Sequence, residues 1–103
     1  MIIVVAALEF DNQEDRDRAV ALTTDVQMAT RTEEAGCRDY TFSIELNNSA
    51  MLRITEKWDS MDALLAHFQA PHMAGFQELM AAYPPKSMDA CFYEAEEVTP
   101  PGM

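Results

Sequence analysis

The side chains best suited to proton transfer are Glu56, His67 and His72, and Glu56 stands two positions before the only tryptophan, Trp58. Apolar and polar residues alternate through this stretch, which places Glu56 and Trp58 on the more apolar face of a predicted strand. A carboxylate on such a face is unfavourable unless it is paired, hydrogen-bonded or protonated, and burial would raise its pKa. Histidine exchanges its proton near neutral pH, so either His67 or Glu56 is predicted to act as a general base.

Each of these residues also has a structural interpretation, which the sequence leaves open. Glu56 could accept a hydrogen bond from a helix end or from another subunit, and Trp58 could fill the core instead of lining a pocket. Phe68 completes an apolar helical face, and His67 is expected at the margin of that face. His72 lies near a predicted helix start, where a surface or capping role is common. Alternatively, Trp58, Phe68 and His72 could contact a bound small molecule.

The sequence predicts no metal ligands and no cofactor. Cys37 and Cys91 form no CxxC pair, and no cluster of cysteine and histidine has the spacing of a zinc site. The chain also has no glycine-rich loop of the kind that binds a nucleotide. A site built from these residues would therefore work by desolvation and proton transfer.

Hydrophobic periodicity predicts six elements in the order strand, helix, strand, strand, helix, strand. The predicted ranges are 2–8, 12–34, 40–47, 51–58, a helical region from 61 to about 80, and 87–96. The first strand is a continuous β-branched run, which is typical of a central strand covered on both faces. This order is the split βαβ plan, so the predicted class is α+β, with a ferredoxin-like βαββαβ fold and an antiparallel sheet.

Two amphipathic patterns define the predicted helix faces. The first helix is expected to be capped by Asp11, with an apolar face formed by Ala19, Leu22, Val26 and Ala29. The second is expected to be capped by Ser60 or Asp59, with an apolar face formed by Met61, Leu64, Leu65 and Phe68. Pro71 either ends that helix or opens another at its first position.

Composition bounds the remaining properties. The 103 residues suit one domain, predicted over 1–97, with a tail at 98–103. The net charge of −11 disfavours nucleic acid and anionic membranes as partners, because both bind cationic surfaces. The start of the chain has no basic leader, and its apolar run is too short to span a membrane. Cys37 and Cys91 are predicted on opposite edge strands as reduced thiols, which suits a cytoplasmic protein.

Several short segments together form a recognisable pattern. They are Glu34-Ala35-Gly36-Cys37, Glu56-Lys57-Trp58 and the pair formed by His67 and Pro71-His72. This pattern resembles the antibiotic biosynthesis monooxygenase family, whose members typically show Pro-Gly-Cys before the second strand, Glu-x-Trp at the end of the third, and two histidines shortly after. Ala35 stands where the family usually has proline, which is a departure at a turn.

The resemblance implies a homodimer in which two sheets form an α/β barrel. It also implies a cofactor-independent monooxygenase that oxidises a small quinol or polyketide-like aromatic with dioxygen. The substrate would lie between the helices and the sheet, against Trp58 and Phe68. His67 or Glu56 would remove a phenolic proton, and the resulting anion would react with dioxygen.

Three alternatives stay open at this point. The fold also occurs in haem-degrading enzymes, but these carry an asparagine in the first strand, and residues 1–10 contain none. A non-catalytic small-molecule-binding or stress-related protein would use the same pocket without consuming oxygen. An isomerase of small keto compounds would turn over without oxygen.

Overall fold

Four strands and three helices account for most of residues 1–102, the part of the chain that the computed structural model describes. The strands are β1 (Ile2–Glu9), β2 (Cys37–Ile44), β3 (Met51–Trp58) and β4 (Ser87–Glu94). The helices are α1 (Gln13–Glu33), α2 (Met61–Phe68) and α3 (Pro71–Ala82). The predicted α+β class and the element order are confirmed, except that the second helical region is two helices.

The strands form one antiparallel sheet in the order β2-β3-β1-β4. This is the ferredoxin-like arrangement, with β1 in the centre as predicted. Cys37 on β2 and Cys91 on β4 lie at opposite edges, and both thiols are free. The helices cover only one sheet face, so the expectation that β1 is covered on both faces is not met within one chain: Val5 is 41% exposed.

The N-cap of helix α1 lies one residue later than predicted. Asn12, not Asp11, is the N-cap, and its side chain accepts a hydrogen bond from the backbone N–H of Asp15 at 2.9 Å. The buried stripe of the helix is Arg16, Ala19, Thr23, Val26 and Thr30. Leu22, predicted in the core, is 50% exposed, because the helix docks along a stripe that includes threonines rather than along its most apolar residues.

Two predicted strand ends extend too far. Pairing of β2 with β3 ends at Ile44 opposite Leu52, so Leu46 lies in the turn and is 95% exposed. β4 likewise ends at Glu94, two residues before its predicted end. No regular element follows it within the described residues, and Met103 of the predicted tail lies outside them.

Helix α2 buries only Leu64 of the face that its hydrophobic pattern predicts, together with His67 from the margin of that face. Leu64 and His67 are each 1% exposed, whereas Leu65 and Phe68 are 53% and 41% exposed. The helix has only eight residues, so one narrow stripe reaches the sheet. Ser60 caps it, and Pro71 opens α3 at its first turn, as one of the two alternatives predicted.

The chain reverses closely where α1 leads into β2. A Cβ atom added to Gly36 would lie 2.5 Å from the Cβ of Ala63 on α2, so only glycine allows this approach. The contact brings the end of α1 next to α2 and thereby positions the side chain of Glu34.

None of the helices within residues 1–102 is long and apolar enough to cross a lipid bilayer.

Candidate functional site

An aromatic and polar cluster forms where β2, β3 and α2 meet. The ring of His67 lies 4.7 Å from the ring of Trp58 and 5.1 Å from the ring of Tyr40, measured between centroids. Tyr40 and Trp58 belong to the same buried core cluster. The strand register places Tyr40 opposite Glu56, so β2 and β3 present both side chains to the same helix-covered face.

The Glu34 carboxylate lies within hydrogen-bonding distance of both histidines of the chain. Its Oε2 atom lies 2.8 Å from Nδ1 of His67 and 2.7 Å from Nε2 of His72. Thr30 Oγ1 lies 3.3 Å from the same nitrogen of His72. A carboxylate oxygen only accepts hydrogen bonds, so both histidine nitrogens donate to Glu34.

This arrangement fixes the protonation pattern of a neutral His67. With the proton on Nδ1, the other ring nitrogen, Nε2, carries a lone pair and can accept a proton. Nε2 has no hydrogen-bond partner among residues 1–102, and the ring forms part of a cavity wall. Glu34 therefore orients the imidazole ring of His67 through Nδ1.

The cavity lies between α2, α3 and the helix-covered face of the sheet, with a volume of about 100 Å³. It is mostly apolar, and its polar wall consists of Tyr40, Glu56 and His67. The apolar wall comprises Val4, Ala6, Ile54, Phe68, Met73, Phe76, Met88, Ala90 and Phe92. Broader depressions of about 330 and 620 Å³ lie near the chain start, but neither histidine lines them.

Glu56 is held by the neighbouring tryptophan. Trp58 Nε1 donates a hydrogen bond to Glu56 Oε1 at 2.9 Å. Burial raises the pKa of the Glu56 carboxyl above its ordinary value, although the hydrogen bond from Trp58 opposes the shift. Burial also raises the pKa of Tyr40, so its hydroxyl stays protonated at neutral pH and can donate a hydrogen bond.

The raised pKa of Glu56 predicts a specific pH dependence of stability. A raised pKa in the folded state contributes stability below the ordinary carboxyl pKa of about 4.3, and this contribution is lost as pH rises through the folded-state value. Glu56→Gln removes the charge and keeps an oxygen that can accept from Trp58. We expect the variant to gain stability relative to the wild type as pH rises from acidic to neutral, by up to about 1.4 kcal/mol per pH unit within that window.

Urea unfolding at several pH values measures this difference. Glu45→Gln is the control, because a hydrogen bond from Arg53 lowers the pKa of Glu45 and its effect should have the opposite sign. A difference between wild type and Glu56→Gln that does not change with pH would contradict burial of an ionisable Glu56.

The structure distributes the predicted site residues over three positions. Glu56, His67 and Phe68 line the cavity. Trp58 is completely buried and is not part of the cavity wall. It contacts Glu56 and His67, which do line the cavity. His72 lies beyond Glu34, away from the cavity wall.

Sequence reasoning assigned no role to Glu34, Tyr40 or Met73, although all three contribute to this site. Glu34 was part of the quoted family pattern, directly before the turn at Gly36. The sequence signal that could have indicated its importance is its position between the end of α1 and Gly36. Nothing in local periodicity indicated that its carboxylate meets two histidines.

The model of the family described as antibiotic biosynthesis monooxygenase matches residues 1–79. This range includes Glu34 with its two histidines, His67 and His72, and also Trp58 with Glu56. The chain belongs to the antibiotic biosynthesis monooxygenase family. No curated protein sequence matches the chain significantly.

Solved structures with this fold cover nearly the whole chain. A Deinococcus radiodurans protein that carries the name antibiotic biosynthesis monooxygenase is 26% identical, with 97% of each chain covered and a TM-score of 0.85. A Caulobacter crescentus protein of the same name is 21% identical over 93% of this chain and 90% of its own, with a TM-score of 0.84.

One neighbour was solved with a small molecule. It is a monooxygenase of Streptomyces coelicolor in complex with the ligand nanaomycin D. It is 20% identical to this chain, over 98% of this chain and 92% of its own, with a TM-score of 0.77. At this identity the likeness shows the shared antibiotic biosynthesis monooxygenase fold, including β4, which lies beyond the matched residues 1–79.

Proposed function

We propose that this protein is a cofactor-independent monooxygenase that oxidises a small electron-rich aromatic, such as a quinol or a polyketide-like compound, with dioxygen. The observation that carries the proposal is His67 in the wall of an apolar cavity, with Nδ1 held by Glu34 and Nε2 able to accept a proton. Family membership and the ligand-bound Streptomyces monooxygenase support the same reaction class.

The proposed reaction begins with proton transfer. The substrate enters between Phe68 and Phe92, whose side chains are 41% and 52% exposed at the cavity rim. Nε2 of His67 removes a phenolic proton, and the apolar wall excludes the water that would otherwise stabilise the anion. Tyr40 can donate a hydrogen bond to the oxygen on which charge develops.

The oxidation itself uses electrons of the substrate. The electron-rich anion reduces dioxygen, and a carbon–oxygen bond forms at the activated carbon. The oxygen–oxygen bond then breaks as that carbon loses its hydrogen. One oxygen atom remains as the new carbonyl, and the other leaves as water with two hydrogens from the substrate, so a methylene group and dioxygen give a carbonyl group and water.

Oxygen uptake by the protein with a panel of quinols and anthrone-like aromatics tests this proposal. We expect uptake above the spontaneous rate, with product that contains one atom from labelled dioxygen. Protein that is stabilised against heat by such a compound but consumes no oxygen would overturn the monooxygenase proposal and identify a binding protein. Conversion of a keto compound without oxygen would identify an isomerase.

We further propose that two chains pair their sheets into a barrel in the cytoplasm. The sheet face opposite the helices carries Val5 and Tyr93, which are 41% and 53% exposed, beside the partly exposed Ile3 and Ala7. A second copy would cover this face and complete the two-sided burial expected for β1. The separated free thiols of Cys37 and Cys91 suit a reducing compartment.

The dimer has a direct test by light scattering. We expect twice the chain mass of 11.6 kDa. Val5→Lys should lower the mass to that of the monomer, because a charge would be buried without a partner. Leu46→Lys is the control, since Leu46 is 95% exposed in a turn. A wild-type monomer mass would contradict the barrel.

A further inference from the structure

Glu34, His67 and His72 form a cluster, called the Glu34 cluster below, whose side chains could also bind a metal ion. Glu34, His67 and His72 each offer one ligand atom, and the three atoms all lie within 4.8 Å of one another. They come from the end of α1, from α2 and from α3, so the tertiary structure holds them together. Two imidazoles and one carboxylate are the ligands of catalytic zinc sites and of mononuclear iron(II) sites. Magnesium and calcium prefer sites made of oxygen alone.

We propose that Glu34, His67 and His72 bind a divalent transition-metal ion of the zinc(II) class, and that the bound ion prevents His67 from acting as a base. The binding rests only on the three side chains. The inhibition rests on the function proposed above.

Metal binding requires the three ligand atoms to rearrange from their hydrogen-bonded positions. The contacts from Glu34 to the two histidines are 2.7 and 2.8 Å, whereas ligands of tetrahedral zinc stand about 3.3 Å apart. Glu34 follows the last helical residue in an extended conformation, with φ −101° and ψ 104°, so its side chain is not fixed by the helix. The carboxylate has to retreat by about half an ångström, and the two imidazole nitrogens, which lie within 4.8 Å of one another, have to approach to the same spacing.

Charge and access also favour a cation. The side chains of Glu34 and His72 are 13% and 15% exposed, so an ion reaches the cluster from the α1–α3 side without crossing the cavity. Glu33 stands at this entrance, with Oε2 3.7 Å from Nδ1 of His72. The net charge of −11 attracts cations to the whole surface.

The metal and the base function compete for the same imidazole. Without metal, Nδ1 of His67 carries the proton and Nε2 carries the lone pair. A metal takes the lone pair of Nδ1, which places the proton on Nε2. Nε2 then donates a hydrogen bond and no longer accepts a proton.

Cobalt(II) is the probe, because its visible absorption reports ligand number and geometry. We expect metal-free wild-type protein to bind one cobalt(II) per chain, with the intense bands of four- or five-coordination, and zinc(II) to displace it. His72→Ala and Glu34→Gln should each weaken binding by at least about tenfold, since loss of even an outer-shell partner costs about 10–100-fold. Glu33→Gln, which removes only an exposed carboxylate, should bind nearly as tightly as the wild type.

Distinct outcomes separate this inference from the proposed function. Weak octahedral bands, or equal affinity in wild type and His72→Ala when both are folded by circular dichroism, would overturn the metal site even if oxygen is consumed. Cobalt binding that depends on His72 supports the site even if no substrate is oxidised. If metal-free protein consumes oxygen, zinc at saturation should stop the uptake, and His72→Ala should resist that inhibition. Full activity of the zinc-loaded wild type would overturn the inhibition.

Discussion

Replacing His67 by glutamine is expected to slow oxygen uptake by about 10²–10⁴-fold, the usual contribution of a positioned general base. Glutamine has no basic nitrogen, but it retains an amide N–H that can donate to Glu34. The local structure should therefore persist while proton removal is lost. The effect should fall on kcat more than on KM, because the proton is transferred in the transition state.

Two further variants identify the base. Glu56→Gln should reduce the rate much less, because Glu56 already accepts the Trp58 N–H and keeps this bond as glutamine. His72→Gln removes the other imidazole bound to Glu34 but leaves the cavity wall unchanged, so it is the matched control. If Glu56→Gln loses the activity and His67→Gln keeps it, the base is Glu56. If all three variants remain active, proton removal occurs in solvent.

Replacing Trp58 by alanine is expected to destabilise the fold by about 3–5 kcal/mol, which is typical of truncating a buried aromatic residue. Trp58 is 0% exposed and packs in the cluster that joins β1, β3 and α2. The variant also removes the donor that faces the partly buried Glu56 carboxylate. Urea unfolding measures the free energy of unfolding. A loss of this size is a large fraction of the total stability of a domain this small.

Trp58→Phe separates the two contributions. It keeps most of the ring volume but deletes the N–H, so we expect a loss of about 1–3 kcal/mol, the usual cost of leaving a buried polar group unpaired. Leu46→Ala, at an almost fully exposed turn position, should change stability by less than about 0.5 kcal/mol. A Trp58→Ala variant as stable as Leu46→Ala would show that Trp58 is not a core residue.

The strand faces could be predicted from the sequence because side chains alternate strictly across a strand. The alternation from Met51 to Trp58 correctly placed Glu56 with Trp58 on the helix-covered face. The β-branched run at the start of the chain correctly predicted a central strand. Together with the quoted family pattern, these features were sufficient for the α+β ferredoxin-like fold.

The helix faces were less predictable, because a short helix buries whichever narrow stripe its docking angle selects. Leu64, Leu65 and Phe68 all have the right spacing for a core, yet α2 buries only Leu64 of the three, together with His67. In α1 the buried stripe includes Thr23 and Thr30, whose hydroxyls find hydrogen-bond partners in the structure. Apolar composition alone does not encode that choice.

The sequence by itself determined the strand order, the family and the residue types available for proton chemistry. Only the tertiary structure decided which of them meet. Glu34 stands 33 positions before His67 and 38 before His72, and its contact with both depends on the close turn at Gly36 and on the docking of α2 and α3. Local periodicity reports which side of an element faces inward. The partners that a polar side chain finds there follow from how distant elements pack.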